Sequence, residues 1–318
     1  TKPSKALIFS VLCLSIVMVL LVERLCRSLK LSSKLENHHH QSASLQAFRS
    51  HVSNCFTQLS LNSKPKSDFL SLTYIQQCFQ LLPMINKAFA KLVMEIDHPM
   101  SKWEVVTVEE YLNYSLNLLE LLNSISSSLS HLSQARLSLS HALGLVENSP
   151  PLAIERLKPI PSKNLSKHIK EGETENEERL SSGKELVIQQ ALMVMKSIGF
   201  WVCGVVLSGL CGDIEPYMEM SKSAGGFVNS SLGSSVCEEI IEKKGVLKDV
   251  KEINDAVDCL VAAIATGKSS SNAAKELQRR LEEIEKLLEG VEKDTNHLFS
   301  EVLAGRNELL DCLRQQKQ

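Results

Sequence analysis

Lys275 to Cys312 reads KELQRRLEEIEKLLEGVEKDTNHLFSEVLAGRNELLDC, and this run decides the fold class. Positions 277, 281, 284, 288, 291, 295, 298, 302, 305, 309 and 312 step by four and three. They hold Leu, Leu, Ile, Leu, Val, Thr, Leu, Val, Gly, Leu and Cys. Apolar residues at that spacing share one helical face and form a heptad seam. Charged residues fill the other faces, so the helix is amphipathic and needs another helix against its seam. It starts near Ser271. The seam either closes an intramolecular bundle or meets a partner; with one such helix in the chain, the intramolecular reading leads.

Working back from that helix, Ser235 with Glu238 reads as a capping box for a helix reaching Ala265. Between the two helices, Ala262 to Ser269 reads AAIATGKS, a loose phosphate-loop match with Ala in place of the first Gly. A phosphate loop follows a buried strand and opens a helix. Here Ile253, Val257, Leu260, Val261 and Ile264 precede it at helical spacing, so Gly267 reads as a helix C-cap and nucleotide binding through Lys268 is set aside. Ile198 to Cys211, IGFWVCGVVLSGLC, carries no charge, and Gly204, Ser208 and Gly212 make a small-residue stripe. Fourteen uncharged residues are fewer than a membrane span needs, so a buried central helix of the bundle is favoured over insertion. Glu215-Pro216 and Ala224-Gly225-Gly226 read as a loop.

Residues 150–184 read as a disordered acidic, Pro-containing linker: Pro150, Pro151, Pro159 and Pro161, then acidic residues from Glu171 to Glu178. Upstream, Thr107-Val108-Glu109-Glu110 reads as a capping box that opens a long Leu-rich helix ending at Gly144 and Asn148-Ser149-Pro150. A helix from an Asp68 N-cap to Ile96, kinked at Pro83, precedes it. Another runs from Ala43 to a Lys-Pro-Lys break at 64–66.

Ala6 to Val22 is seventeen residues without charge. Lys2 and Lys5 precede it; Arg24, Arg27, Lys30 and Lys34 follow. No small-residue cleavage site follows the apolar run, so an uncleaved anchor is expected, with the body of the chain in the cytosol. The chain opens on Thr1 rather than Met, as a sequence with residues missing upstream would. The organisation is an anchor with its basic flank (1–30), a polar spacer (31–42), a first helical region (43–149), the linker (150–184) and a second helical region (185–318). The fold class is all-α: a multi-helix bundle with long antiparallel helices and an N-terminal transmembrane anchor.

Formal net charge is -2, and no basic stripe suggests nucleic acid as a partner. Nine Cys are scattered with no C-x-x-C pair, so reduced, mostly buried thiols are expected. His38-His39-His40 reads as a solvated spacer rather than a metal site, because no second ligand cluster accompanies it. His131 and His141 read as solvated or locally bonded, and Glu109-Glu110 and Glu282-Glu283 as charged helix faces. No catalytic, cofactor-binding or metal residue is assigned, and no cofactor is expected.

Four stretches nonetheless carry a family signal: Pro99-Met100-Ser101-Lys102-Trp103-Glu104 with Glu110-Tyr111-Leu112, Ala142-Leu143 through Pro150, the apolar run from Trp201 to Gly212, and Leu303-Ala304-Gly305-Arg306-Asn307-Glu308-Leu309-Leu310. Together they resemble the plant BYPASS family over about residues 43–315. The resemblance implies a helical plant protein with no known enzymatic activity, linked to root and shoot development and to limiting a root-derived mobile signal; the 6–22 segment departs from the family, and with it the reading is a membrane-associated regulator or adaptor. Protein partners would be met through helix faces, including the 277–312 seam; an exocyst-linked secretory adaptor is the alternative. The membrane is engaged through residues 6–22, on an endomembrane or the plasma membrane, with a plastid location left open.

Overall fold

The computed structural model describes residues 39–62, 70–163, 183–223 and 238–315 except 239 and 268. The apolar segment 6–22, Asp68, Ser235, Lys268 and the acidic run 171–178 lie outside the described residues. The described chain is helical, with no strand. Its helices are α1 (His39–Asn62), α2 (Leu72–Phe79), α3 (Leu81–Glu95), α4 (Val105–Gly144), α5 (Pro150–Arg156), α6 (Lys184–Cys211), α7 (Glu215–Ser223), α8 (Lys248–Ala265) and α9 (Ser271–Gln315).

Helix α6 is the centre. Its residues from Ile198 to Cys211 are all buried, because α1, α2, α3, α4 and α7 pack around it. It is long and apolar enough to cross a membrane, yet most of its surface is covered by protein, and it forms the core of the bundle. Thr107 meets Gln189, Glu110 meets Lys196 and Ser128 meets Cys211, so α4 and α6 run parallel. In the opposite direction, α9 runs along α4: Arg136 pairs with Glu285 at 2.8 Å, and Arg306 reaches the Leu112 carbonyl. Helices α8 and α9 form an antiparallel hairpin, tied by Arg280 to Glu252.

The heptad seam is internal. Leu277, Leu281, Ile284, Leu288, Val291, Thr295, Leu298, Val302 and Leu309 are buried against α4, α8 and α2. The 277–312 seam is therefore not a surface for an external partner, except where it opens at Gly305 and Cys312, which are half-buried. The Gly267 expectation is met one residue on: α8 ends at Ala265 with Thr266 as its C-cap, and Gly267 follows at φ +65°, its N–H donating to the Ile264 carbonyl.

Several boundaries differ from the sequence reading. Helix α1 begins at His39, inside the expected spacer. The single kinked helix from 68 is two helices split at Gln80; Ser71 is the N-cap, accepting from the Tyr74 N–H, and Asp249 of α8 accepts from the Leu72 N–H. Pro83 stands in the first turn of α3, where a missing N–H costs little. Helix α4 begins two residues before Thr107, which is buried and accepts from Gln189 instead of capping. Pro150 and Pro151 open α5 rather than only ending α4, since a preset φ suits the first helical turn. The start of the expected linker is thus folded: Leu157 and Ile160 are buried, Ile160 N–H donates to Asn254, and Lys163 N–H donates to the Cys211 carbonyl. Glu215-Pro216 opens α7 rather than a loop. The helix expected from Ser235 is interrupted by a turn at Lys244 and Gly245, both at positive φ, before α8 starts.

The small-residue stripe has a role in packing. A Cβ on Gly204 would lie 2.8 Å from the Met220 Cβ, so α7 folds back onto α6 only because residue 204 lacks one. Gly212, at φ +65°, ends α6 so that the chain can make that return. Gly204→Val should destabilise by about 1–3 kcal/mol in urea unfolding, because overpacking forces the α7 backbone outward. Gly144→Ala, with nothing within 4 Å of its added carbon, should be neutral or slightly stabilising.

Buried thiols set an alkaline limit. Burial pushes Cys78 and Cys203 up to about 12, from an ordinary value of 9.0. Below about pH 9 both folded and unfolded chains keep these protons, and the stability is full. Between about pH 9 and 12 only the unfolded chain releases them, so stability falls as pH rises. The urea midpoint should drop between about pH 8 and pH 11, and less steeply in a Cys78→Val, Cys203→Val variant; equal slopes in the two proteins would refute this account.

Candidate functional site: a groove between the third and ninth helices

Trp103 organises the segment that joins α3 to α4. Its ring is buried, edge-on to Phe89 at 6.1 Å and to Tyr111 at 5.7 Å, while Phe89 and Tyr111 stack at 6.5 Å. Its indole N–H donates to the His98 carbonyl at 3.0 Å. The three rings bind the end of α3, the 3₁₀ turn Met100–Lys102 and the start of α4 into one unit.

His98 is placed by the end of α3. Asp97 takes φ +49°, the Asp97 N–H donates to the Met94 carbonyl, and the His98 N–H donates to the Val93 carbonyl. Asp tolerates this left-handed position better than most residues. The turn sends the His98 ring to Glu185 in the first turn of α6, with Nε2 2.6 Å from Oε2. Glu185 is buried, and its other oxygen accepts from the Glu104 N–H at 3.0 Å. One carboxylate therefore ties together the end of α3, the N-cap of α4 and the start of α6. Sequence reasoning missed this clamp: Glu185 looks like an ordinary acidic residue in a first helical turn.

Beside the clamp lies a groove of about 830 Å³ between α3 and α9, floored by α4. Its floor is apolar and aromatic: Phe89, Val93, Tyr111, Tyr114, Leu118 and Met195. One wall is α3 with the adjoining turn, and carries Met84, Lys87, Met94 and Met100; the other is α9, with Glu301, Gly305, Glu308 and Cys312. Met84 and Met94 are exposed. Gly305 leaves room for the Tyr111 hydroxyl, which stands 3.1 Å from where a Cβ would be. Burial, and then the Glu308 charge, raise the Tyr111 phenol above its usual range; burial first, then Cys203 and Tyr111, raise that of Tyr114. Arg306 fastens this wall to the floor by donating to the Leu112 carbonyl and to Ser115 Oγ.

The other residues considered from sequence do not join the groove. His131 reaches the Pro161 carbonyl at 3.3 Å, which is a contact to the folded linker start rather than a local one, and His141 is exposed. Glu110 is no free surface charge: it pairs with Lys196 of α6 at 3.4 Å. Cys55, Cys78, Cys203 and Cys211 are buried free thiols, Cys259 is exposed and Cys312 half-buried. Among the described residues no cluster of His, Cys, Asp or Glu is arranged to hold a metal. Of the His38–His40 run, His38 lies outside the described residues and His39 opens α1.

Glu185→Ala should cost about 2–4 kcal/mol, because it leaves the Glu104 N–H and the His98 ring without their acceptor. Glu185→Gln keeps an acceptor and should cost less than half of that. Urea unfolding of the two variants checks this, and equal losses would mean that the carboxylate is not the tie.

A family model described as Protein ROH1-like matches residues 19–158. Protein BPS1, chloroplastic, from Arabidopsis thaliana is 27% identical over 278 residues, covering 79% of this chain and 78% of its own length. UPF0496 protein 4 from Oryza sativa, in the japonica and indica subspecies, is 26% identical over 223 residues. Those matches cover 63% of this chain and 49% of the rice proteins, so the alignment spans about half their length. No solved structure matches. The groove is built from the segments around Trp103 and Gly305 that carried the resemblance, and the chain is similar to the ROH1-like family over residues 19–158 and to BPS1 over most of its length.

Proposed function

We propose that the chain is a non-enzymatic helical adaptor in plant development that works by partner recognition in the α3–α9 groove. One observation carries the reading. Residues 99–104 and 303–310, two hundred residues apart in sequence, converge on one apolar groove whose walls carry exposed Met and Glu side chains. An open apolar groove with a charged rim is suited to binding a protein, and Met side chains adapt to the surface they meet. The BYPASS relationship supplies the biology: limiting a root-derived mobile signal that governs shoot and root growth. In the same reading, residues 6–22 hold the adaptor at a membrane. The Arabidopsis relative is named chloroplastic, so chloroplasts belong beside endomembranes and plasma membrane in any fractionation.

The test is rescue of root and shoot growth in an Arabidopsis line lacking the BPS1 protein. The full chain should restore growth. A Met84→Glu, Met94→Glu variant changes only exposed groove positions, so it should fold with an unchanged thermal midpoint and yet fail to rescue. Full rescue by that variant would remove the groove from the function. A variant lacking residues 1–34 should leave the membrane pellet at alkaline pH.

A further inference from the structure

The groove walls have a shared period. On α3, Met84, Lys87 and Met94 line the wall, are exposed and follow a three-seven spacing. On α9, Glu301, Gly305, Glu308 and Cys312 follow a four-three-four spacing and line the opposite wall. Each set is a stripe along one side of its helix, the arrangement by which helices offer holes to the knobs of another helix. Ten residues from Met84 to Met94 rise about 15 Å, and seven from Glu301 to Glu308 about 10 Å, so the groove is about three helical turns long.

The charges decide the occupant. Small-molecule sites hold a few polar groups that converge on one point. Here the polar groups lie spread along the two rims, Lys87 with Asn86 and Ser101 on one and Glu301 with Glu308 on the other, above an apolar floor. Lys87 stands on the α3 rim; Lys91, one turn on, lies outside the groove lining and pairs with Glu95 at 3.5 Å. Glu301 and Glu308 stand two turns apart on the α9 rim, Glu301 3.7 Å from His297.

We propose that the groove binds an amphipathic α-helix of a partner protein, about three turns long, with an apolar stripe flanked by Lys or Arg on the side facing α9 and by Asp or Glu on the side facing α3. This rests on the groove being the recognition site, and it adds the class of partner. The stripe fills the space over Phe89, Tyr111 and Met195, while the flanks meet Glu301 and Glu308 on one side and Lys87 on the other.

The experiment uses the full chain and three synthetic, end-capped 21-residue peptides with Leu at the a and d positions of a heptad. One carries Lys on one flank and Glu on the other, one carries Glu on both, and one carries Lys on both. The mixed peptide should bind about tenfold more tightly than either like-charged peptide at low salt, with the gap narrowing as salt rises. The Glu301→Lys, Glu308→Lys variant makes both rims basic, so it should prefer the all-Glu peptide. Both residues are exposed, and an unchanged thermal midpoint confirms the fold. Equal binding of the three peptides, no change of preference in the variant, or a groove filled by a second copy of the chain in sedimentation would each overturn the proposal. If the peptides fail while the Met84, Met94 variant still loses rescue, the helical partner falls and the groove's role in the adaptor stands.

Discussion

The structure depends on the need of one helix to be covered on every side. Helix α6 has no polar face along Ile198 to Cys211, so no two-helix contact would satisfy it. Five helices surround it instead, and the places where they approach are set by its small residues. At Gly204 the backbone of α7 comes within packing distance; Gly199 leaves space for the Tyr114 ring, and Gly209 for Ile75 of α2. The same composition would suit a lipid bilayer, whose tails are as apolar as a protein core. The distinction lies in the neighbours: α1, α2, α3 and α4 each bring an apolar stripe that would be left exposed if α6 departed.

From that centre the groove follows. Helix α4 lies parallel to α6 and is much longer, so it carries the remaining layer, with α9 antiparallel on its outer side. The first turns of α4 are where α3 ends, where α6 begins and where α9 finishes. Three helix termini near one place leave orphan N–H and carbonyl groups that need partners. Glu185 answers the Glu104 N–H and the turn at Asp97 answers the carbonyls of Val93 and Met94, while Arg306 adds a bond to the Leu112 carbonyl inside α4. Polar satisfaction and the shape of the groove are therefore one problem, and the charged residues that resolve it lie just outside the apolar floor.

The layout of helices was legible in the sequence because apolar period survives packing. The seam from Leu277 to Leu309, the buried run from Ile198 and the Gly267 cap were all readable from spacing. Helix ends were less legible, since a cap is a competition. Thr107 has the residues of a capping box, but Gln189 of another helix claims its hydroxyl and α4 starts earlier. Asp249, far along the chain, supports the start of α2, which no local window contains. Pro150 and Pro151 signal a break and a helix start equally well. The groove was half legible. The segments around Trp103 and Gly305 were singled out by resemblance, yet nothing local shows that they face each other, and the pairing of their walls is a property of tertiary packing alone.

The two sides of α9 show why the groove is left open. A strict heptad seam would put bulky side chains at 305 and 312 and close α9 on α4 to its end. Gly305 supplies no side chain and Cys312 a small one, so the seam relaxes where it passes the aromatic cluster. Tyr111 takes part of the released space, turning its hydroxyl toward Gly305. The rest is open to the α3 side. A larger residue at 305 would press on the Tyr111 hydroxyl and narrow the groove, so α9 is held to α4 mainly by the well-packed seam from 277 to 302.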